Sequence, residues 1–356
     1  MEVLRPTLIA IEGRIYRKNP IREQAYQDED DDEDFSADLA ECADEPCDDF
    51  TVRQTEKGYE CTLAIPSKLF KFIIGKKSET KRKIESETRT SISIPKPGLE
   101  GEIVITGQQR NGVISARTRI EVIADTFRKR EPFTHFLSFA LNHPEIQQRF
   151  HQFKEEVLEK CSKDRGVDSS IFQNSAKLHL TIGTLILLNE QEVQRACELL
   201  QRCKEDFIDK YVGGNSLKLE VAGIEYMNDD PAMVDVLYAK VRLKDASEKL
   251  QLIADLLMER FVSSGLMLRE WDRVKLHATI MNTLFRRDPN AEEMRNTSTP
   301  GRPGQRARES FDARNVLKMF TNFNFGELDL KAVHISERFS VDGSGYYTSA
   351  GQISFN

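Results

Sequence analysis

Lys177-Leu178-His179-Leu180-Thr181-Ile182 recurs as Lys275-Leu276-His277-Ala278-Thr279-Ile280, five identities in six, with the histidines 98 positions apart. Each copy alternates apolar and polar residues, the period of a half-buried strand, so residues i and i+2 project from one face. His179 and Thr181 therefore stand side by side, as do His277 and Thr279. Two such strands related by an internal pseudo-two-fold axis would line one cleft with two imidazoles and two hydroxyls. One neutral imidazole can take a proton from water or a ribose hydroxyl, a second, protonated, can give one to a leaving oxygen, and the threonines can hold phosphoryl oxygens. Two histidines without a convergent Cys or acidic motif are too few for a zinc site, so the reading needs neither metal nor cofactor. His334-Ile335-Ser336 lacks the preceding Lys-Leu and reads as an ordinary strand segment.

Outward from the repeat, strands are expected at 133–141, 178–187, 217–222, 234–241, 274–280 and 326–339, the last with a partner near 346–355. Helices are expected at 144–161, 190–207, 246–262 and 311–320. Residues 288–310, rich in Pro, Gly, Asn and Arg without periodicity, read as a surface insertion. Successive strands often look adjacent, which predicts an α+β fold over a doubly wound parallel sheet. With its two complete His-x-Thr motifs, the stretch from residue 131 to 356 resembles the two-histidine phosphoesterase superfamily, which is bilobal with internal pseudo-two-fold symmetry. The resemblance implies metal-independent chemistry on RNA phosphodiesters or 2′,3′-cyclic phosphates, with His179 and His277 as acid and base and Thr181 and Thr279 as phosphate binders. It does not fix which histidine is the acid.

Residues 51–130 have a different order: strand 60–65, helices 68–74 and 79–88, strands 90–94 and 101–106, and an amphipathic helix 114–127. This βααββα order, with Ile73-Ile74-Gly75-Lys76-Lys77-Ser78 between the first two helices, resembles a KH domain. In that family the turn presents backbone N–H groups to consecutive phosphates, with glycine at both ends permitting close approach. Ser78 replaces the second glycine. The resemblance assigns nucleic-acid binding to Gly75, Lys76, Lys77, Ser78, Lys81 and Arg82, with single-stranded RNA as the expected partner and single-stranded DNA as the alternative.

Charge is segregated along the 356 residues. Residues 1–50 carry five Lys/Arg against sixteen Asp/Glu, whereas residues 51–130 carry seventeen against nine. An acidic arm beside a basic domain is the pattern of a polyanion binder with a solvated or partner-recruiting tail. The run from 28 to 49 is too acidic to pack and is expected to be disordered, and Cys42 and Cys47 within it read as incidental. Residues 1–20, apolar at Val3, Leu4, Leu8, Ile9 and Ile11, read as a short strand or as a peptide docking on another subunit. No apolar run approaches the roughly 20 residues of a membrane span, no secretory signal core is present, and six cysteines without a CxxC pair fit a reducing compartment.

The stretches 133–137, 223–231 and 334–339 extend the resemblance to the whole chain. Through them the chain resembles a subunit of a nuclear, helicase-containing complex linked to transcription coactivation and alkylation-damage repair. That implies nuclear localisation, with helicase and other complex subunits as partners. The alternative is a non-catalytic adaptor that positions nucleic acid for partner enzymes.

Overall fold

The computed structural model describes residues 7–11, 14–18, 52–96, 98–213, 217–227, 229–286 and 308–355. The acidic run with Cys42 and Cys47, and nearly all of the insertion at 288–310, lie outside them. Thr7–Ile11 (β1) and Arg14–Lys18 (β2) pair with each other as an antiparallel hairpin, two strands where one was expected.

The next elements are Arg53–Thr55 (β3), Gly58–Ala64 (β4), Phe70–Ile74 (α1), Glu79–Thr88 (α2), Thr90–Ser93 (β5), Glu102–Gly107 (β6) and Arg110–Arg128 (α3). The antiparallel sheet runs β3-β4-β6-β5. The expected βααββα order is present, extended by β3, whose three exposed residues carry no apolar alternation to announce a strand. Alternation on β4 and β6 aims Cys61, Leu63, Ile103 and Ile105 inward. There they meet Ile73 of α1, Ile84 of α2, and Val113, Ala116 and Ile120 of α3, all buried.

The second domain contains His135–Ala140 (β7), Pro144–Cys161 (α4), His179–Leu185 (β8), Glu190–Cys203 (α5), Asp209–Val212 (α6), Leu217–Tyr226 (β9), Val236–Leu243 (β10), Lys249–Ser263 (α7), Ala278–Asn282 (β11), Arg314–Phe320 (α8), Asn324–Leu330 (β12), Ala332–Glu337 (β13) and Ser349–Ser354 (β14). Eight strands run β12-β9-β10-β11-β8-β7-β13-β14, every neighbouring pair antiparallel. The order divides at β11 and β8 into two four-stranded halves, so the α+β architecture and the pseudo-two-fold repeat coincide. The expected strand at 326–339 is two strands, broken at Lys331: β12 lies on one edge of the sheet and β13 next to the other. Only a strongly curled sheet brings its two ends close enough for one residue to join them.

At the centre Ala278 of β11 faces Leu180 of β8. Leu180 also faces Phe139, and Ala278 faces Ala239, which faces Ile224. This row is buried against the helices, each member no more than 3% exposed, and burial of such side chains contributes about 1.5–3 kcal/mol apiece for the larger ones. Because side chains alternate, the residues on either side of Leu180 and Ala278 must project from the opposite face. They are His179, Thr181, His277 and Thr279.

The KH core continues without a break into Phe133, Phe136, Ile186, Leu188, Tyr346 and Tyr347 of the second domain. A half-buried fork joins the two as well. Arg128 Nη1 and Nη2 donate to Glu192 Oε2 and Oε1 at 2.9 and 2.5 Å, and Nη1 also donates to the Ile186 carbonyl at 2.9 Å. Such bidentate pairing fixes orientation as well as contributing energy.

Candidate functional site: a two-histidine face and a basic KH loop

Continuing the Ala278–Leu180 register one residue each way sets His277 across from Thr181 and Thr279 across from His179. The four sequence-predicted residues are thus brought to one patch of the sheet face away from the helices. Both imidazoles are oriented the same way. His179 Nδ1 lies 2.7 Å from the Lys177 carbonyl oxygen, and His277 Nδ1 lies 2.6 Å from the Lys275 carbonyl oxygen. A carbonyl only accepts, so Nδ1 is the donor in each ring and Nε2 is left as the acceptor of the neutral form. The shared Lys-Leu-His sequence supplies this lock from its own backbone.

Aromatic rings bracket the imidazoles. Phe136 and Tyr347 lie with ring centres 5.1 and 5.5 Å from His179, and Tyr238 lies 5.3 Å from His277. Tyr238 pairs with Thr279 as Ser138 pairs with Thr181, so the pseudo-symmetric halves place different hydroxyls beside their threonines. Burial pushes the Tyr238 phenol above its ordinary pKa, and the Glu225 carboxylate across the strand adds to this. Sequence periodicity does not reveal Phe136, Tyr238 or Tyr347 as neighbours of the motif. Each comes from a strand or loop distant in the chain.

His334, on β13, faces Ser138 of β7, so it shares the face but not the pair. Its Nδ1 is buried without a hydrogen-bond partner, in contrast to the locked rings. Burial holds its pKa below the ordinary value, against an opposing pull from Asp342. A lowered folded-state pKa means that, as pH falls through the ordinary histidine range, the unfolded chain takes up a proton the folded chain refuses, and stability falls. Replacing His334 by Phe is therefore expected to flatten the loss of thermal stability between about pH 7 and 5. Melting curves of both proteins across that range check this, and equal acid sensitivity would contradict it.

The KH loop is built from left-handed backbone. Gly75 has φ 70°, Lys77 φ 51° and Ser78 φ 64°. At Gly75 a Cβ would meet Thr80 Cβ at 2.7 Å, so glycine is required. Ser78 occupies the family's second glycine position in a conformation costing an L-residue about 1–2 kcal/mol. Ser78→Gly is expected to raise stability by up to about 1 kcal/mol after its larger unfolded-state entropy is offset, with nucleic-acid affinity equal or higher. A fall in affinity despite a higher melting temperature would instead give the Ser78 hydroxyl a direct contact. Lys76, Lys77 and Arg82 are exposed, while Lys81 is partly tied to Glu85 at 3.7 Å. Beside the loop lies a cavity of about 650 Å³ lined by Ser67, Lys68, Lys71, Ile74, Gly75 and Gly98 among others. Lys68 and Lys71 were not singled out from sequence, although their i, i+3 spacing ahead of the glycine was a usable signal.

Residues 133–355 match the AKAP7 2'5' RNA ligase-like domain family, and residues 60–122 match the KH domain family. Activating signal cointegrator 1 complex subunit 1 of Mus musculus is 62% identical over 357 residues, covering 100% of both chains. This chain belongs to the activating signal cointegrator 1 complex subunit 1 family. Among solved structures, the first KH type I domain of human Vigilin is 30% identical, covering 25% of this chain and 95% of its own, with a TM-score of 0.21. The E. coli LigT complex with NADP+ is 14% identical, covering 63% and 99%, with a TM-score of 0.36. This chain thus joins a KH domain to an AKAP7 2'5' RNA ligase-like domain.

Proposed function

We propose that this chain is a nucleic-acid-binding subunit of a nuclear, helicase-containing complex serving transcription coactivation and alkylation-damage repair, and that its second domain is a metal-independent RNA phosphodiesterase. The observation carrying the catalytic part is the pair of His-x-Thr motifs on adjacent central strands, with both Nδ1 atoms directed at backbone carbonyls. In this scheme one Nε2 removes a proton from water or a ribose 2′-hydroxyl as the new P–O bond forms. The other imidazole, protonated, delivers its proton to the oxygen whose bond to phosphorus breaks, and Thr181 and Thr279 donate to the non-bridging oxygens. The KH loop holds single-stranded RNA through Gly75, Lys76, Lys77, Ser78, Lys81 and Arg82. The mouse relative's name supports membership of a complex, and the nuclear setting and helicase partner follow from the whole-chain resemblance.

A pH–rate profile on nucleoside 2′,3′-cyclic phosphates tests the acid–base scheme. It is expected to be bell-shaped, because one imidazole must be neutral and one protonated; a single-step profile would remove one of the two from the mechanism. The second reading is a non-catalytic adaptor, favoured by Ser78 at a glycine position of the KH loop and by the relative's name as a complex subunit. Saturable nucleotide binding through His179 and His277 without turnover would establish it.

A further inference from the structure

The two motif copies carry the same lysine in opposite settings. Lys177 is 3% exposed, its Nζ 4.7 Å from the ring centre of Tyr347, which is 2% exposed and belongs to the apolar cluster shared with the KH domain. Lys275 is exposed, its Nζ 4.9 Å from the ring of Trp271, which is itself 57% exposed. One lobe therefore covers the lysine and its aromatic partner, and the other leaves both in water.

Trp271 is held at this position by anchors on both sides. Before it, Glu270 Oε1 accepts from Thr184 Oγ1 of β8 at 3.1 Å. After it, Arg273 Nε and the Val274 amide donate to Asp255 of α7 at 3.2 and 2.9 Å. The Lys275 carbonyl then receives the His277 Nδ1 hydrogen bond. The indole thus stands on a fixed segment that runs from the side of β8 into the second histidine motif. An indole left in water forgoes the burial that usually accompanies so large an apolar side chain, and here it sits next to a cation and a phosphoryl-transfer motif.

We propose that Trp271 is a stacking platform for a nucleobase of the RNA whose phosphate lies between His179 and His277. The proposal rests on the phosphodiesterase reading and adds to it the side on which the base lies: the His277 lobe, since on the His179 side the matching lysine and ring, Lys177 and Tyr347, are buried. Indole presents a π face that any base can stack on, with purines offering the larger area. Lys275 beside it supplies charge to the adjoining phosphate. Trp271 is a specificity-determining residue that selects for an attached base over a bare sugar phosphate.

The chain contains one tryptophan, so indole emission reports this position alone. Adenosine 2′,3′-cyclic phosphate, too small to span from the KH loop, is titrated into the full chain, with ribose 5-phosphate as the base-free control. The nucleotide is expected to quench emission saturably and the control to leave it unchanged. Trp271→Ala is expected to raise KM by about ten- to a hundred-fold, since stacking contributes about that factor per base, whereas Trp271→Phe keeps KM within a few-fold of wild type. Turnover of the nucleotide with silent indole emission and an unchanged KM in Trp271→Ala would overturn the platform while sparing the phosphodiesterase. Saturable quenching without turnover would keep the platform and remove the phosphodiesterase. Quenching only by added protein, with none by nucleotide, would make Trp271 a protein-docking residue and overturn the proposal.

Discussion

On the proposed phosphodiesterase reading, alanine at either His179 or His277 is expected to lower turnover by about two to four orders of magnitude, and alanine at both to lower it little further. The equivalence of the two singles follows from the equivalence of their settings. Each ring is fixed by the carbonyl two residues earlier, and each is followed two residues later by a threonine, Thr181 in β8 and Thr279 in β11. The non-additivity follows because proton removal and proton delivery belong to one displacement, so losing either leaves the other without a step to assist. Thr181→Ala and Thr279→Ala act more mildly, since each removes one donor to a phosphoryl oxygen and leaves the proton relay in place. Single-turnover rates of the four single variants and the double histidine variant check this ordering. Additive losses in the double variant would mean that the two imidazoles act in separate steps.

The second large effect belongs to the KH loop. Reversing charge at Lys76 and Lys77 together is expected to weaken single-stranded RNA binding by about ten-fold or more at low salt. It should also lower the slope of log affinity against log salt by about 0.7 for each phosphate that the protein no longer neutralises. Both residues are exposed beside the Gly75 turn, so the substitutions leave the buried KH core untouched. Binding isotherms at several salt concentrations give affinity and slope from one experiment. Unchanged affinity with an unchanged slope would place RNA elsewhere on the chain and leave the KH fold to protein partners.

The fold was legible wherever a residue's period decided its face. Leu180 and Ala278 at the centre of the repeat announced the buried row, and their neighbours announced the opposite one. The glycine at 75 announced its turn because a backbone with positive φ and a nearby Thr80 leaves no room for a Cβ. What a period of two does not carry is the identity of the neighbouring strand. Residues 324–337 keep their alternation almost through Lys331, so they read as one strand while the curled sheet places the two halves at its opposite ends. For the same reason the second motif was read too early. Val274 belongs to the anchored segment bound to Asp255, and the ladder begins only at Ala278.

The candidate site divides along the same line. His179, Thr181, His277 and Thr279 were readable because the chain repeats them. The aromatic rings around them were not, since Phe136, Tyr238 and Tyr347 arrive from β7, β10 and the loop before β14 through long-range packing. His334 shows how little a triplet says without its setting. It has the His-x-Ser spacing and a strand like the others, yet its Nδ1 is buried with no carbonyl to orient it. The accepting carbonyls belong to Lys177 and Lys275, which stand just ahead of their strands, whereas two residues before His334 stands Ala332, already inside β13.

The most direct test of the account is incubation of the full chain with labelled single-stranded RNAs and nucleoside 2′,3′-cyclic phosphates in EDTA, with the product ends identified by mass. The account predicts cleavage that persists in the chelator, leaves phosphate ends consistent with attack by water or a 2′-hydroxyl, and disappears in the His179→Ala and His277→Ala variants. Activity lost in EDTA and restored by zinc or manganese, or products formed equally by the histidine variants, would contradict it.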